Sequence, residues 1–510
     1  MPGAQKLSAL DASFLHLEKR HTHMHIGGVA IFEPSPRGSG EALYEGIVRS
    51  IAARLDIIPR YRQKVAFLPL SFDVPVWIDD PEFDIRNHVL RAALPKPGGD
   101  RELREYVARV FSRQLDRRRP LWELYVIEGL RGGRWALLTK THHAMVDGIS
   151  NLELVTVLFD TEADAPERDD ASFWLPDQPP SATQLLMASM RDRLSRPGRV
   201  LSAARAVAGK PQRLAGAIAE TASGLAAMAG TMRAPKSIIN GRTGPTRAYA
   251  FSRFPLDDFR AIKSEFGGTI NDVVLAIVAG GLRHYLSAHG EDPGLERNQL
   301  QALCPVSIRD VSERTALGNR LAMLLVRLPV GEAHADDRMQ EVIQRVGRLK
   351  ARRQAVGADF LLNLAGFAPA TLHAMVSRAS LSQIGFNLVV TNVPGPQFPL
   401  YCRGAQLVEA FPIAFLYEGQ QVAIAIFSYL GQLNFGYLAD AHGVADVEVF
   451  GKCMERSFRE LRLAARRTGG VVALKSRPGP RASGAARAGG GAGGTARSRR
   501  RSRAGTTAGP

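Results

Sequence analysis

Cysteine is scarce: Cys304, Cys402 and Cys453 are the three in 510 residues. So few, so far apart, exclude a disulfide framework or a cysteine-built metal centre, and fit a reducing compartment. Long apolar runs are missing too. No stretch reaches the roughly 18 residues that a membrane-crossing helix needs, and Val273 to Leu282, ten residues, is among the longest. The opening Met1-Pro2-Gly3-Ala4-Gln5-Lys6-Leu7 lacks the charged start and apolar core of a signal peptide. A G-x-S-x-G nucleophile elbow occurs nowhere, which argues against a serine hydrolase of that kind. Nor is there a spaced Cys/His set for zinc, whose catalytic sites normally take three protein ligands.

What is present is enough apolar material for two or more domains: 45% of the residues are hydrophobic and 23% charged. The net charge of +17 is unevenly placed. Residues 477–510 hold eight arginines and no acid, and residues 184–236 hold nine basic and two acidic residues. Taking these balances of +8 and +7 from +17 leaves +2, so the rest of the chain is near neutral. The Gly/Ala/Arg/Pro-rich tail has little to bury and is expected to be disordered, free to bind polyanions without sequence specificity or simply to be solvated. In the middle segment, Arg191, Arg193, Arg196, Arg199, Arg205 and Arg213 are interleaved with Leu and Ala. That pattern suits a helix lying on anionic lipid, and equally a linker packing its apolar side on the protein.

Short apolar, β-branched and aromatic runs predict strands at Gly28–Phe32, Leu121–Glu128, Trp135–Thr141, Leu321–Leu328, Leu388–Asn392, Val422–Tyr429 and Leu433–Ala439. Helical spacing predicts helices at Glu41–Ala53, Arg101–Leu115, Leu256–Phe266, Ile270–Ala288 and Asp336–Ala355. The mixture restarts near residue 246. The expectation is an α/β protein with a first lobe over 1–175, a helical basic linker over 176–245, a second lobe over 246–470 and a disordered basic tail over 471–510.

One stretch carries chemistry. Thr141-His142-His143-Ala144-Met145-Val146-Asp147-Gly148 follows the apolar run Trp135-Ala136-Leu137-Leu138. It precedes a helical pattern of Ile149, Leu152, Val155, Leu158 and Phe159, with Ser150 and Glu153 at capping-box spacing. His143 is thereby placed on a strand-to-helix turn, where a side chain can point into a cleft. An imidazole with an ordinary pKa of about 6.5 is mostly free to take a proton at neutral pH, and as a general base it contributes about 10² to 10⁴ in rate. The chemistry that suits it is attack of a hydroxyl on an activated acyl group. Asp147 could cap the helix, bond the imidazole or pair with a distant arginine. Gly148 permits a tight bend or a close approach of substrate. Elsewhere, Asn271-Asp272 opens an apolar helix and reads first as a cap, while Pro120-Leu121-Trp122 can cover a core edge. His16, His21, His23, His25 and His88 read as structural or surface residues.

The block His142 to Gly148 resembles the H-H-x-x-x-D-G signature of the coenzyme-A-dependent acyltransferase superfamily, and its surroundings resemble the bacterial wax ester synthase/diacylglycerol acyltransferase family. The resemblance also rests on Leu7-Ser8-Ala9-Leu10-Asp11-Ala12-Ser13-Phe14-Leu15, Met24-His25-Ile26-Gly27-Gly28 and Pro120-Leu121-Trp122. Asn271-Asp272, Pro305-Val306-Ser307-Ile308-Arg309, Gly318-Asn319 and Thr391-Asn392-Val393-Pro394-Gly395-Pro396 follow in the family's order. It implies two chloramphenicol-acetyltransferase-like lobes with the active site in a channel between them. The implied reaction moves a long-chain fatty acyl group from acyl-coenzyme A, as substrate, to diacylglycerol or a long-chain alcohol, with no metal or further cofactor. It further implies His143 as base, His142 as its support, Asp147 as a structural partner with Arg309 the candidate arginine, and Asn271 near the reacting carbonyl, with Asp272 as structural support. Pro120, Leu121 and Trp122 would line the substrate site. The expected location is the cytoplasm, in peripheral contact with the inner face of the plasma membrane or with lipid inclusions, and no specific nucleic-acid partner is expected. Two other classes stay open: a condensation-domain-like enzyme using carrier-bound thioesters, and a non-catalytic binder of anionic lipid or nucleic acid.

Overall fold

The computed structural model describes residues 4–68, 74–145, 157–166, 174–194, 234–295, 299–307, 321–355 and 385–475. Two compact units divide the chain, Met1–Arg466 and Arg467–Pro510. In chain order the first half gives β1 (Ala4–Lys6), α1 (Ala9–Leu17), β2 (His25–Phe32), α2 (Glu41–Ala52), β3 (Gln63–Ala66), β4 (Val76–Asp79), β5 (Val89–Ala93), α3 (Asp100–Phe111), β6 (Trp122–Glu128), β7 (Trp135–His142) and α4 (Ala182–Leu194). The second gives β8 (Arg247–Pro255), α5 (Leu256–Phe266), α6 (Ile270–Ala288), β9 (Gln301–Ser307), β10 (Leu321–Arg327), α7 (Ala335–Ala355), β11 (Leu388–Val393), β12 (Tyr401–Cys402), β13 (Ala405–Ile413), β14 (Val422–Tyr429), β15 (Gln432–Asp440) and α8 (Val447–Lys475).

Two six-stranded sheets organise the unit that ends at Arg466, in the orders β12-β13-β2-β7-β6-β5 and β10-β9-β11-β14-β15-β8, beside a small sheet β1-β4-β3. Two main apolar clusters fill that unit, and the first reaches from one large sheet to the other. Phe32, Val126, Ala136 and Leu138 anchor the first. The second is built on α6, whose run Val273–Leu282 is buried on every side, as expected of a helix apolar all round its circumference. Among the described residues no single helix is long and apolar enough to cross a membrane. The three cysteines are free and buried.

The strand pair β12–β13 departs from the division that the sequence suggested. It lies in the second half of the chain yet completes the sheet of the first, β13 running antiparallel to β2 from Leu407 opposite Phe32 to Ile413 opposite Gly27. A register shift between Leu407 and Glu409 breaks its period of two, and Pro412 removes a ladder donor, so the pattern does not read as a strand. The exchange carries the following residues, Ala414 to Tyr417, to the end of β7. Two motif glycines answer to close approach. A Cβ on Gly27 would stand 1.9 Å from the Thr139 carbonyl oxygen on β7, and one on Gly395 would stand 2.2 Å from the Ser428 carbonyl oxygen.

Candidate active site

The histidine doublet sits where β7 ends. Its backbone is pinned from both neighbours: His142 N–H donates to the Leu121 carbonyl (2.9 Å) beside β6, and His143 N–H to the Met24 carbonyl (2.8 Å) beside β2. There the chain leaves the sheet in a tight helical turn, His143–Met145. The two rings meet different surroundings. His142 is wholly buried, and its Nδ1 accepts the Ala144 N–H at 3.1 Å. In its neutral form the proton therefore lies on Nε2, which faces Glu18 Oε2 at 3.7 Å. His143, by contrast, keeps partial exposure.

Glu18 closes α1. The helix is fixed at its start by Ser8, whose Oγ accepts the Asp11 N–H (3.1 Å) and donates to the Asp11 carboxylate (2.7 Å). At its end, the Glu18 N–H donates to the Phe14 carbonyl. The Glu18 carboxylate is almost fully buried: Oε1 lies 3.2 Å from His25 Nε2. Oε2 accepts from Arg117 Nε (2.9 Å), Arg117 Nη2 (2.6 Å) and Gln114 Nε2 (3.0 Å). Burial opposes its ionisation, but hydrogen bonding and attraction from His142 and His25 outweigh that and hold the carboxyl well below the usual carboxylate range. Burial also pushes the His25 imidazole well below its ordinary value and lowers His23 to about 4.

The His143 ring packs against Phe14 of α1, centroids 4.1 Å apart and tilted by 33°. Phe415 meets it edge-on at 5.4 Å and 85° from the residues after β13. Burial, then repulsion from His142, lowers its pKa to about 4, against a smaller opposing effect of its own backbone. At neutral pH it is therefore an uncharged imidazole that keeps partial exposure.

The remaining expected site residues are spread out. Asp272 is committed to the start of α6: its carboxylate accepts the Thr269 N–H (2.8 Å) and Oγ–H (2.8 Å), while Thr269 Oγ accepts the Asp272 N–H (3.3 Å). Asn271 is half-buried beside it, and among the described residues no hydrogen bond or ring contact is found between it and either histidine. Leu121 and Trp122 are core residues. The Trp122 indole N–H donates to the Tyr61 carbonyl (2.8 Å), and its ring stacks on His88 at 4.7 Å. Trp122 borders a small space of about 20 Å³ with Ile51, Tyr61 and Thr141, room for about one water. Asp147, Gly148 and Arg309 lie outside the described residues, as do most of the helix expected after His143, most of the basic segment and the tail. Glu18, Arg117 and Phe415 were not singled out in the sequence, and His25 was read as a structural or surface residue. The available signal for Glu18 was an acid one helical turn after Phe14, at the end of an apolar helix.

Comparison with known proteins places the fold in a family. A family model described as "Wax ester synthase/diacylglycerol acyltransferase catalytic domain" matches residues 7–274, and "WS/DGAT C-terminal domain" matches 317–462. A probable diacylglycerol O-acyltransferase of Mycobacterium tuberculosis strain H37Rv is 34% identical over 460 residues, 89% of this chain and 95% of that protein. A second from the same strain is 32% identical over 460 residues, 89% of this chain and 98% of that one. Among solved structures, the wax ester synthase/diacylglycerol acyltransferase of Marinobacter aquaeolei VT8 superposes with a TM-score of 0.66 at 25% identity, covering 91% of this chain and 100% of that one. The first condensation domain of the calcium-dependent antibiotic synthetase shares the fold at a TM-score of 0.53 and 15% identity, with 91% of this chain and 96% of that one covered. The mixed α/β fold is thus the two-lobed, chloramphenicol-acetyltransferase-like one. With both family models matched in order across most of its length, this chain belongs to the wax ester synthase/diacylglycerol acyltransferase family.

Proposed function

We propose that this protein transfers a long-chain fatty acyl group from acyl-coenzyme A to the hydroxyl of diacylglycerol, and in a secondary activity to long-chain alcohols, with His143 as general base. The observation that carries the proposal is the contrast within the doublet: His142 is sealed with its Nδ1 engaged, whereas His143 is neutral at physiological pH and reachable. In the reaction, His143 takes the acceptor's hydroxyl proton as the oxygen attacks the thioester carbonyl. The tetrahedral intermediate then collapses with loss of the thiolate, which recovers the proton from His143. A thiol with a pKa of about 8.5 leaves with little acid help, so one base and one oxyanion donor suffice. Asn271 is our candidate for that donor, a role whose removal typically costs about 10² to 10³ in rate. To Leu121 and Trp122 we assign the setting of β6 against β7 rather than contact with the acyl chain. His143→Ala assayed with acyl-coenzyme A against diacylglycerol and hexadecanol tests the reading; full retained turnover would end it.

Peripheral lipid contact, at the inner membrane face or at lipid inclusions, belongs to the same proposal. Its support is α4, which turns Met187, Met190 and Arg191 outward at the head of the segment with a balance of +7 over residues 184–236. Vesicle flotation should recover more protein on anionic than on zwitterionic lipid; equal recovery on both removes the electrostatic part. The division at residues 175, 245 and 470 stands on the same footing, modified by the strand exchange of β12–β13.

A further inference from the structure

The base of an acyl-transfer site is commonly held by a third polar group. In this protein the conspicuous buried carboxylate beside the doublet, Glu18, is directed at His142 and His25, and among the described residues no side-chain hydrogen bond to the His143 ring is found. What touches that ring instead is aromatic on two sides: Phe14 at 4.1 Å from α1 and Phe415 at 5.4 Å from the residues after β13. The two phenyl rings also meet each other, at 6.1 Å and 76°. Phe415 in turn packs edge-on against Tyr417 at 4.8 Å, and Tyr417 against Phe386 at 5.3 Å. Phe14 is 5% exposed and Phe415 8%, so neither is a loose surface ring.

We propose that Phe14 and Phe415 are positioning residues that hold the His143 imidazole by ring packing and shield it from water. The inference rests on His143 being the base. Its physical basis is that close-packed rings allow few rotamers and that an apolar sheath disfavours the imidazolium. The jaws come from distant parts of the chain, one from the N-terminal helix and one delivered by the strand exchange, so the base is set only when both halves are assembled. Titratable and charged groups on the surrounding elements are His142 on the same turn, Asp11, His16 and Glu18 on or at the end of α1, His23 and His25 beside Met24, and Tyr417 and Glu418 beyond Phe415. His142 is the one whose charge acts on His143.

The test is the acid limb of kcat/KM with acyl-coenzyme A and diacylglycerol between pH 4 and 8, measured on the full chain. The wild-type rate should hold to about pH 5. In Phe14→Ala and in Phe415→Ala the half-activity point should rise towards about 6.5, the ordinary imidazole value, and kcat should fall by about tenfold, the equivalent of about 1.4 kcal/mol. Phe14→Leu and Phe415→Leu restore an apolar cover and should return the limb towards the wild-type position. Should the alanine forms not fold, Phe14→Val and Phe415→Val should give part-way limbs. Limbs unmoved in the truncated forms, with kcat unchanged, overturn the proposal. His143→Ala separates the two readings: if it keeps turnover, the base assignment fails and the clamp with it; if it loses turnover while the limbs stay fixed, the clamp alone fails.

Discussion

Two motif-bearing turns of this molecule, Thr141–Met145 at the end of β7 and Thr269–Asp272 at the start of α6, look alike in sequence and behave differently in the fold. Each joins polar residues to an apolar element. At the second, Oδ2 of the Asp272 carboxylate takes both of its side-chain-accepted hydrogen bonds from Thr269, three residues away, so that oxygen serves the helix. At the first, the buried acid that serves the doublet is Glu18, more than a hundred residues earlier in the chain. A local cap closes on itself, whereas a site is supplied from elsewhere.

Four changes can break or sharpen that contrast. The largest effect should come from His143→Ala, which is expected to lower kcat by about 10² to 10⁴ with the fold retained. Steady-state assay together with near-ultraviolet circular dichroism checks it, and an unaltered kcat would place the chemistry away from β7. Next is the acid sensitivity of the doublet's region. Because His23 and His143 are lowered to about 4 from an ordinary 6.5, the folded state binds fewer protons than the unfolded one in between. Their contribution is complete above pH 6.5 and is lost as pH falls through 4, on the order of 3 kcal/mol for each group. Thermal melts at pH 4 and 7 measure it; equal midpoints would contradict it.

A smaller effect is expected of Glu18→Gln. It removes the charge to which Arg117 and His25 are turned, and a charged hydrogen bond is worth about 1.5 to 3 kcal/mol. It should lower kcat by about tenfold to a hundredfold at little change in KM; a rise in KM alone would make Glu18 a substrate contact instead. The smallest should be Asp272→Ala, which opens the capping box and lowers stability by about 1 to 2 kcal/mol, read from urea midpoints, while activity per folded molecule stays as it was. If Asp272→Ala silenced the enzyme without lowering its midpoint, the two turns would have to exchange roles.

The elements that were plain in the sequence are those whose period lies within a few residues. The apolar start of Trp135–Thr141 and the unbroken apolar run Val273–Leu282 were each legible because neighbours along the chain decide them. The short strands β1, β3 and β4 were not, being too brief to show a period. The same locality identified His142 and His143 as a pair but could not rank them by environment.

By itself, then, the sequence determined the family motifs, most of the longer helices and strands, and the place of the histidine doublet at the end of a strand. Only the tertiary structure decided that β13 crosses to the first sheet, that Glu18 rather than a nearby acid lies beside His142, and that Phe14 and Phe415 flank His143. The reason is physical: hydrogen bonds of caps and turns span three or four residues, so composition and spacing register them. Desolvation and ring packing depend on which distant segments fill the surrounding space, and that is settled only when both cores close.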